Sequence, residues 1–178
     1  VNATVRSGGF PEFHYQWTTR PPEYLVLLQQ GDENDHQYRL FLLLINILRS
    51  EDVHLEAFTF THNPQVVRAL HGKQRERLTL GDLVQRFPQH RLLIFSDGRP
   101  FLHPKHPRLE SWVYPNFRSW EEKTLITSIP AEDWGYREKL LQAMFRLMPA
   151  ELEVMLELIE PILAEEQPAF AQLKKQFS

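Results

Sequence analysis

Two short apolar runs set the frame for the fold of this chain. Residues 24–28 read YLVLL, and residues 91–95 read RLLIF, apolar throughout after the arginine. Each is too short for a buried helix, and a strand without polar alternation has to be covered on both faces, as a central strand of a parallel sheet is. The segments around them fit that frame. Residues 53–60 alternate well enough for a second strand and 64–70 hold a shorter third, while 123–129 read as a fifth after the RLLIF strand.

Helical patterns fall between the strands. After a polar turn at 31–35, Asp35 caps a helix running to about Arg49, with Leu40, Leu44, Ile47 and Leu48 on one face and Leu42 opposite, where water is expected. Thr79 or Gly81 opens a second helix through Phe87, and Pro88 closes it. Residues 133–148 read as a helix with Leu140, Leu141, Met144, Phe145 and Met148 inward. Residues 150–165 read as another, with Leu152, Met155, Leu156, Ile159 and Leu163 on its apolar face. The expected fold is therefore α/β, a doubly wound, mainly parallel, Rossmann-like sheet of five to six strands with helices on both faces. Residues 23–165 form the domain. Residues 1–22 are a linker with a possible edge strand at 13–17, broken by Pro21-Pro22, and 166–178 are a tail.

At 178 residues and 42% hydrophobic content the chain has material for one core. A net charge of −3 with mixed signs argues against nucleic acid as a partner. The lack of cysteine excludes a thiol nucleophile, a disulfide framework and Cys-ligated metal. The longest apolar run, residues 40–45, is far short of a bilayer span, and no basic leader precedes an apolar stretch, so a soluble, cytoplasmic protein without membrane contact is expected. The opening Val1 suits a domain excised from a larger polypeptide.

In a doubly wound sheet, ligands sit beyond the carboxyl ends of the strands at the point where the strand order reverses. The loops after Leu28 and Phe95 and the one near Thr79 therefore matter most. Leu78-Thr79-Leu80-Gly81-Asp82-Leu83, followed by Leu92-Leu93-Ile94-Phe95-Ser96-Asp97-Gly98, resembles the von Willebrand factor A family. The likeness lies in a threonine at a helix start and a hydrophobic strand ending in Asp-Gly. The resemblance implies a divalent-cation site built from an Asp-x-Ser-x-Ser set after the first strand, plus such a threonine and aspartate. Here Gln29-Gln30-Gly31-Asp32-Glu33 stands in that first place. Glutamine and glycine do not replace an aspartate and two hydroxyls, and Mg²⁺ needs near-octahedral oxygen ligands with a carboxylate or two among them. A degenerate site without cofactor is the expectation. The alternative is a Mg²⁺-dependent ligand-binding domain using Thr79, Asp97 and Asp32 or Glu33. Arg20-Pro21-Pro22-Glu23-Tyr24, Asp35-His36-Gln37 and Asp133-Trp134-Gly135 are similar to a set of bacterial A-domain-like modules fused to repeat or signalling domains, in which the cation motif is often missing.

The stretch 98–120 is long for a loop and mixes Arg99, Lys105, Arg108 and Arg118 with Phe101, Trp112, Tyr114, Phe117 and Trp120. Arg99, Phe101, Trp112, Tyr114 and Trp120, with Leu42, are the candidate residues for contact with a protein partner or a neighbouring domain; the competing reading is that the aromatics pin the loop to its own domain. His103 and His106 have a spacing two zinc ligands could use, but nothing nearby completes the set. His36 with Asp97 could serve as a base and its orienting carboxylate, with Ser96 the one obvious nucleophile. No glycine-rich phosphate loop follows the first strand. Val154 and Leu158 widen the apolar arc of the last helix beside Glu151, Glu153, Glu157 and Glu160, which suits either a neighbouring domain or packing within this one. These readings favour a non-catalytic interaction or scaffold module of a larger bacterial protein, with no catalytic residues.

Overall fold

The computed structural model describes residues 23–31, 36–50, 54–71 and 77–151. In chain order its elements are β1 (Tyr24–Gln29), α1 (His36–Ser50), β2 (Leu55–Phe60), β3 (Val66–Ala69), β4 (Arg77–Thr79), α2 (Leu80–Arg86), β5 (Arg91–Phe95), α3 (Val113–Phe117), β6 (Lys123–Thr127), α4 (Tyr136–Gln142) and β7 (Arg146–Pro149). Short 3₁₀ turns at Arg99–Phe101 and Ala131–Asp133 join them. The strands make one seven-stranded sheet in the order β4-β3-β2-β1-β5-β6-β7. Strands β2, β1, β5, β6 and β7 run parallel, while β3 is antiparallel to β2 and β4 antiparallel to β3. Numbered among themselves, the parallel strands follow the 2-1-3-4-5 order of doubly wound folds, with the reversal between β1 and β5.

The two apolar runs occupy the centre, as their composition requires. Val26 pairs with Ala57 on one side and Leu93 on the other. Alternate side chains feed two separate cores, because successive residues of a strand point to opposite faces. Leu25, Leu27, Leu92 and Ile94 join Leu80 and Leu83 of α2, Val113 and Phe117 of α3 and Leu141 of α4. Tyr24, Val26, Leu28, Leu93 and Phe95 join Phe41, Leu44 and Ile45 of α1. Helices thus cover both faces.

Four expectations are corrected. The sheet has seven strands rather than five to six, because β4 and β7 add to it. The helix expected over 133–148 is divided: α4 ends at Gln142, and Arg146–Pro149 instead pairs in parallel with β6, Leu125 opposite Leu147. Pro149, which has no N–H to donate, is tolerated there because β7 ends the sheet order. Helix α1 is rotated from the expected face. Leu44 is buried and Leu40 half-buried, but Phe41 and Ile45 are buried too. Leu42, expected in water and offered for partner contact, is half-buried against the sheet, while Leu43 is 55% exposed. Apolar residues run around the whole helix over 40–45, so periodicity leaves its rotation open. The side chains of Ile47 and Leu48 lie outside the described residues, as do the segments 1–22, 150–165 beyond Glu151, and 166–178.

The fourth correction concerns the stretch 98–120. Phe101 and Trp120 are fully buried, and Trp112 is half-buried against the same cluster. Phe117 lies 5.8 Å from Phe101, 5.3 Å from Phe145 and 5.8 Å from Trp120 between ring centroids, the tilted and edge-on contacts aromatic pairs prefer. The Trp120 indole N–H donates to the Phe87 carbonyl at 2.9 Å, tying the stretch to the end of α2. Phe101 and Trp120 are therefore core residues, inaccessible to a partner. Arg99 and Tyr114 remain on the surface.

Candidate functional site

The chain leaves β1 towards α1 on one face of the sheet, and leaves β5 towards Phe101 on the other. This divergence opens a cleft of about 190 Å³ between the carboxyl ends of β1 and β5. Gln29, Gln30, Gly31, Tyr38, Phe41, Phe95, Ser96, Asp97 and Ser128 line it. Tyr38 and Phe41 arrive together because they stand three apart in α1 and share a face.

Gln29 extends β1 one residue past the Leu28–Phe95 pair, which sets its side chain level with the end of β5. Its Oε1 accepts from the Ser96 hydroxyl at 2.6 Å and from the Asp97 backbone N–H at 3.2 Å. Ser96 Oγ in turn accepts from the Gly98 N–H at 3.1 Å. A neutral amide thus bridges the two central strands. Asp97 is the one carboxylate among the described residues lining the cleft; its Oδ1 accepts from the Arg99 N–H at 3.0 Å and its Oδ2 lies 3.4 Å from Arg99 Nε. Burial pushes the Tyr38 phenol above its ordinary value, so it stays neutral. The Asp97-Gly98 pair has a backbone reason: Gly98 holds φ +78°, and a Cβ there would stand 2.5 Å from Leu141 Cδ1.

Of the alternative cation site, Thr79 and Asp97 are not brought together. Thr79 lies at the far end of β4, four strand spacings from β5 in the sheet order, or about 19 Å at the usual interstrand distance. Its hydroxyl is used locally, accepting from the Asp82 N–H at 3.1 Å and donating to Asp82 Oδ2 at 2.7 Å, while Oδ2 also accepts from the Thr79 N–H at 2.8 Å. This capping box opens α2 and holds the Asp82 carboxyl below its ordinary value, chiefly through the Thr79 backbone bond. Asp32 and Glu33 lie outside the described residues. His36 is exposed at the first position of α1. Ser96, its suggested nucleophilic companion, already donates its hydroxyl proton to Gln29.

The His103 and His106 rings lie 4.7 Å apart, and His103 Nδ1 accepts from the backbone N–H groups of Lys105 and His106 at 3.1 and 3.2 Å. Their spacing shapes a turn. Among the described residues no group of three His, Cys, Asp or Glu side chains is placed to hold a metal ion.

A larger groove, about 490 Å³, lies between this turn and α4, lined by Arg99, Leu102, His103, Pro104, His106, Pro107, Tyr136, Arg137 and Leu140. Of these, only Arg99 was singled out for partner contact from the sequence. Tyr136, 61% exposed, carried no linear signal, because more than 30 residues separate it from Leu102 and the fold alone joins the two segments. No described helix is long and apolar enough to cross a membrane. No family model, curated protein or solved structure matches the chain.

Proposed function

We propose that this chain is a non-catalytic protein-interaction or scaffold module, von Willebrand factor A-like in layout, that works within a larger multidomain bacterial protein without a functioning cation site. The observation that carries the reading is the Gln29 bridge. At the position where doubly wound folds gather reactive or metal-binding groups, a neutral side chain consumes the Ser96 hydroxyl proton and the Asp97 backbone donor. A divalent cation there would have to displace Arg99 from Asp97 and find further oxygen ligands. The cleft is also smaller than the roughly 300–1,000 Å³ typical of small-molecule sites. The von Willebrand likeness rests on the RLLIF strand delivering Asp97-Gly98 to the strand-order reversal; Thr79, at the sheet edge, adds nothing to it. The contact surface is assigned to the carboxyl ends of the strands and to the outward residues of the stretch after Asp97, Arg99 and Tyr114 among them.

Thermal melts with and without millimolar Mg²⁺ or Mn²⁺ test the cation half of this reading. The expected result is no shift in Tm for the wild type. A ligand that binds the native state at 100 times its Kd stabilises it by about 2.7 kcal/mol, a shift of several degrees. Such a rise, abolished in Asp97→Ala, would show that the cleft holds a cation after all.

A further inference from the structure

The groove between the 102–109 loop and α4 differs in kind from the cleft. Its walls are apolar, with Leu102 on the loop and Leu140 on the helix, and Tyr136 stands exposed at its margin. Its charged lining has one sign: Arg99 and Arg137 contribute guanidinium groups, and the described lining residues include no carboxylate. In a chain of net charge −3 this is a local reversal. Asp97 Oδ2 approaches Arg99 at Nε, 3.4 Å away, and the Arg99 side chain is 77% exposed.

The loop wall is also built in advance. Leu102 bridges to Leu109 in antiparallel fashion, the His103 N–H donates to the Arg108 carbonyl at 2.9 Å, and the Glu110 N–H donates to the Phe101 carbonyl at 2.9 Å. Beneath it, Phe101 packs 5.3 Å from Phe145 between ring centroids. A wall closed on itself and anchored to the core does not have to be ordered by its ligand, which removes one of the costs of binding.

We infer that this groove binds an extended acidic segment of a partner protein, seating an apolar side chain between Leu102 and Leu140 while flanking carboxylates pair with Arg99 and Arg137. The chemistry separates this occupant from a nucleic acid, which would need a cationic track along a phosphate backbone and has little use for an aliphatic wall. The groove's size lies within the range of binding pockets, so a short segment fills it. The inference rests on the reading of the chain as an interaction module and specifies the partner's chemistry.

The test is fluorescence anisotropy of the full chain against three arrays of labelled eight-residue peptides: Asp/Glu alternating with Leu, Ile, Phe or Tyr; the same peptides with Asn/Gln; and the same with Lys. Members of the acidic array should bind and weaken steeply with salt. Arg99→Glu with Arg137→Glu should weaken them at least about tenfold, as expected when charged hydrogen bonds are removed, with an unchanged melting transition confirming the fold. Acidic-array binding that ignores this double reversal but falls in Tyr114→Ala would remove the groove and leave the interaction module standing. Binding confined to the neutral or Lys arrays would overturn the acidic partner. An absence of binding in all three arrays would overturn the groove as a peptide site, whereas the cation melt tests the parent reading separately.

Discussion

The cleft between β1 and β5 and the groove beside α4 are neighbours, with Asp97 lining the first and Arg99, two residues on, lining the second. They have opposite character. The cleft occupies the position that topology assigns to ligands, yet its Ser96 hydroxyl and Asp97 backbone N–H are spent on Gln29, and the Asp97 carboxylate lies against Arg99. The groove has no topological privilege, but it offers cationic side chains over an apolar wall. Topology therefore says where a site can form in a doubly wound sheet, and the side chains decide whether anything remains available to bind.

The largest expected effect comes from removing the core support beneath the groove's loop, on the face of the sheet opposite α1. Trp120→Ala takes a fully buried indole from the core under the stretch that carries the groove's loop wall and leaves the Phe87 carbonyl without its donor. Denaturant unfolding should register a loss of about 3–5 kcal/mol. A loss under about 1 kcal/mol would mean that the stretch is not anchored to the core.

A smaller effect should separate the two regions from each other. Gln29→Ala deprives Ser96, 4% exposed, of its acceptor and should destabilise the fold by about 1–2 kcal/mol. Arg137→Ala, on the exposed groove wall, should stay within about 0.5 kcal/mol of wild type by the same measurement. Equal costs would erase the distinction between a cleft satisfied from within and a groove open to a partner.

The smallest effect lies at the sheet edge, outside both regions. The Asp82 carboxyl is held below its ordinary value by the Thr79 backbone and side chain, so the ionised form is favoured in the folded chain. Its contribution is complete above the ordinary carboxylate range and is lost as pH falls through the depressed value. Asp82→Asn should therefore be slightly less stable than wild type at neutral pH, with the difference vanishing in acid. A difference that grew on acidification would contradict the capping-box account, and a change in peptide or cation response would couple this edge to the other two regions.

Much of the fold was legible because it is written in local chemistry. YLVLL and RLLIF carry the mark of strands covered on both faces, and Thr79 is a residue type that opens helices, as it does for α2. The rest was not, for identifiable reasons. Nothing between Gln142 and Pro149 marks a helix end, since no glycine or proline interrupts the pattern, and β7 exists because β6 has an open side to pair with. Leu42 packs inward and Leu43 faces out because an apolar run around α1 has no preferred face until the sheet supplies one. Thr79 looked like a partner of Asp97 in the linear order, but β3, β2 and β1 stand between their strands.

Side-chain character alone requires that the central strands be buried and parallel and that helices alternate with them, and it places Gln29 rather than an acidic residue after the YLVLL run. Those are consequences of side-chain character, which each segment carries wherever it goes. The assembled sheet is what brings Gln29 across to Ser96, gives Phe101 and Trp120 to the core rather than to a partner, and sets Arg99 and Arg137 on one groove. Each of these joins residues distant in the chain, and such contacts depend on strand order and on how much buried surface each segment finds.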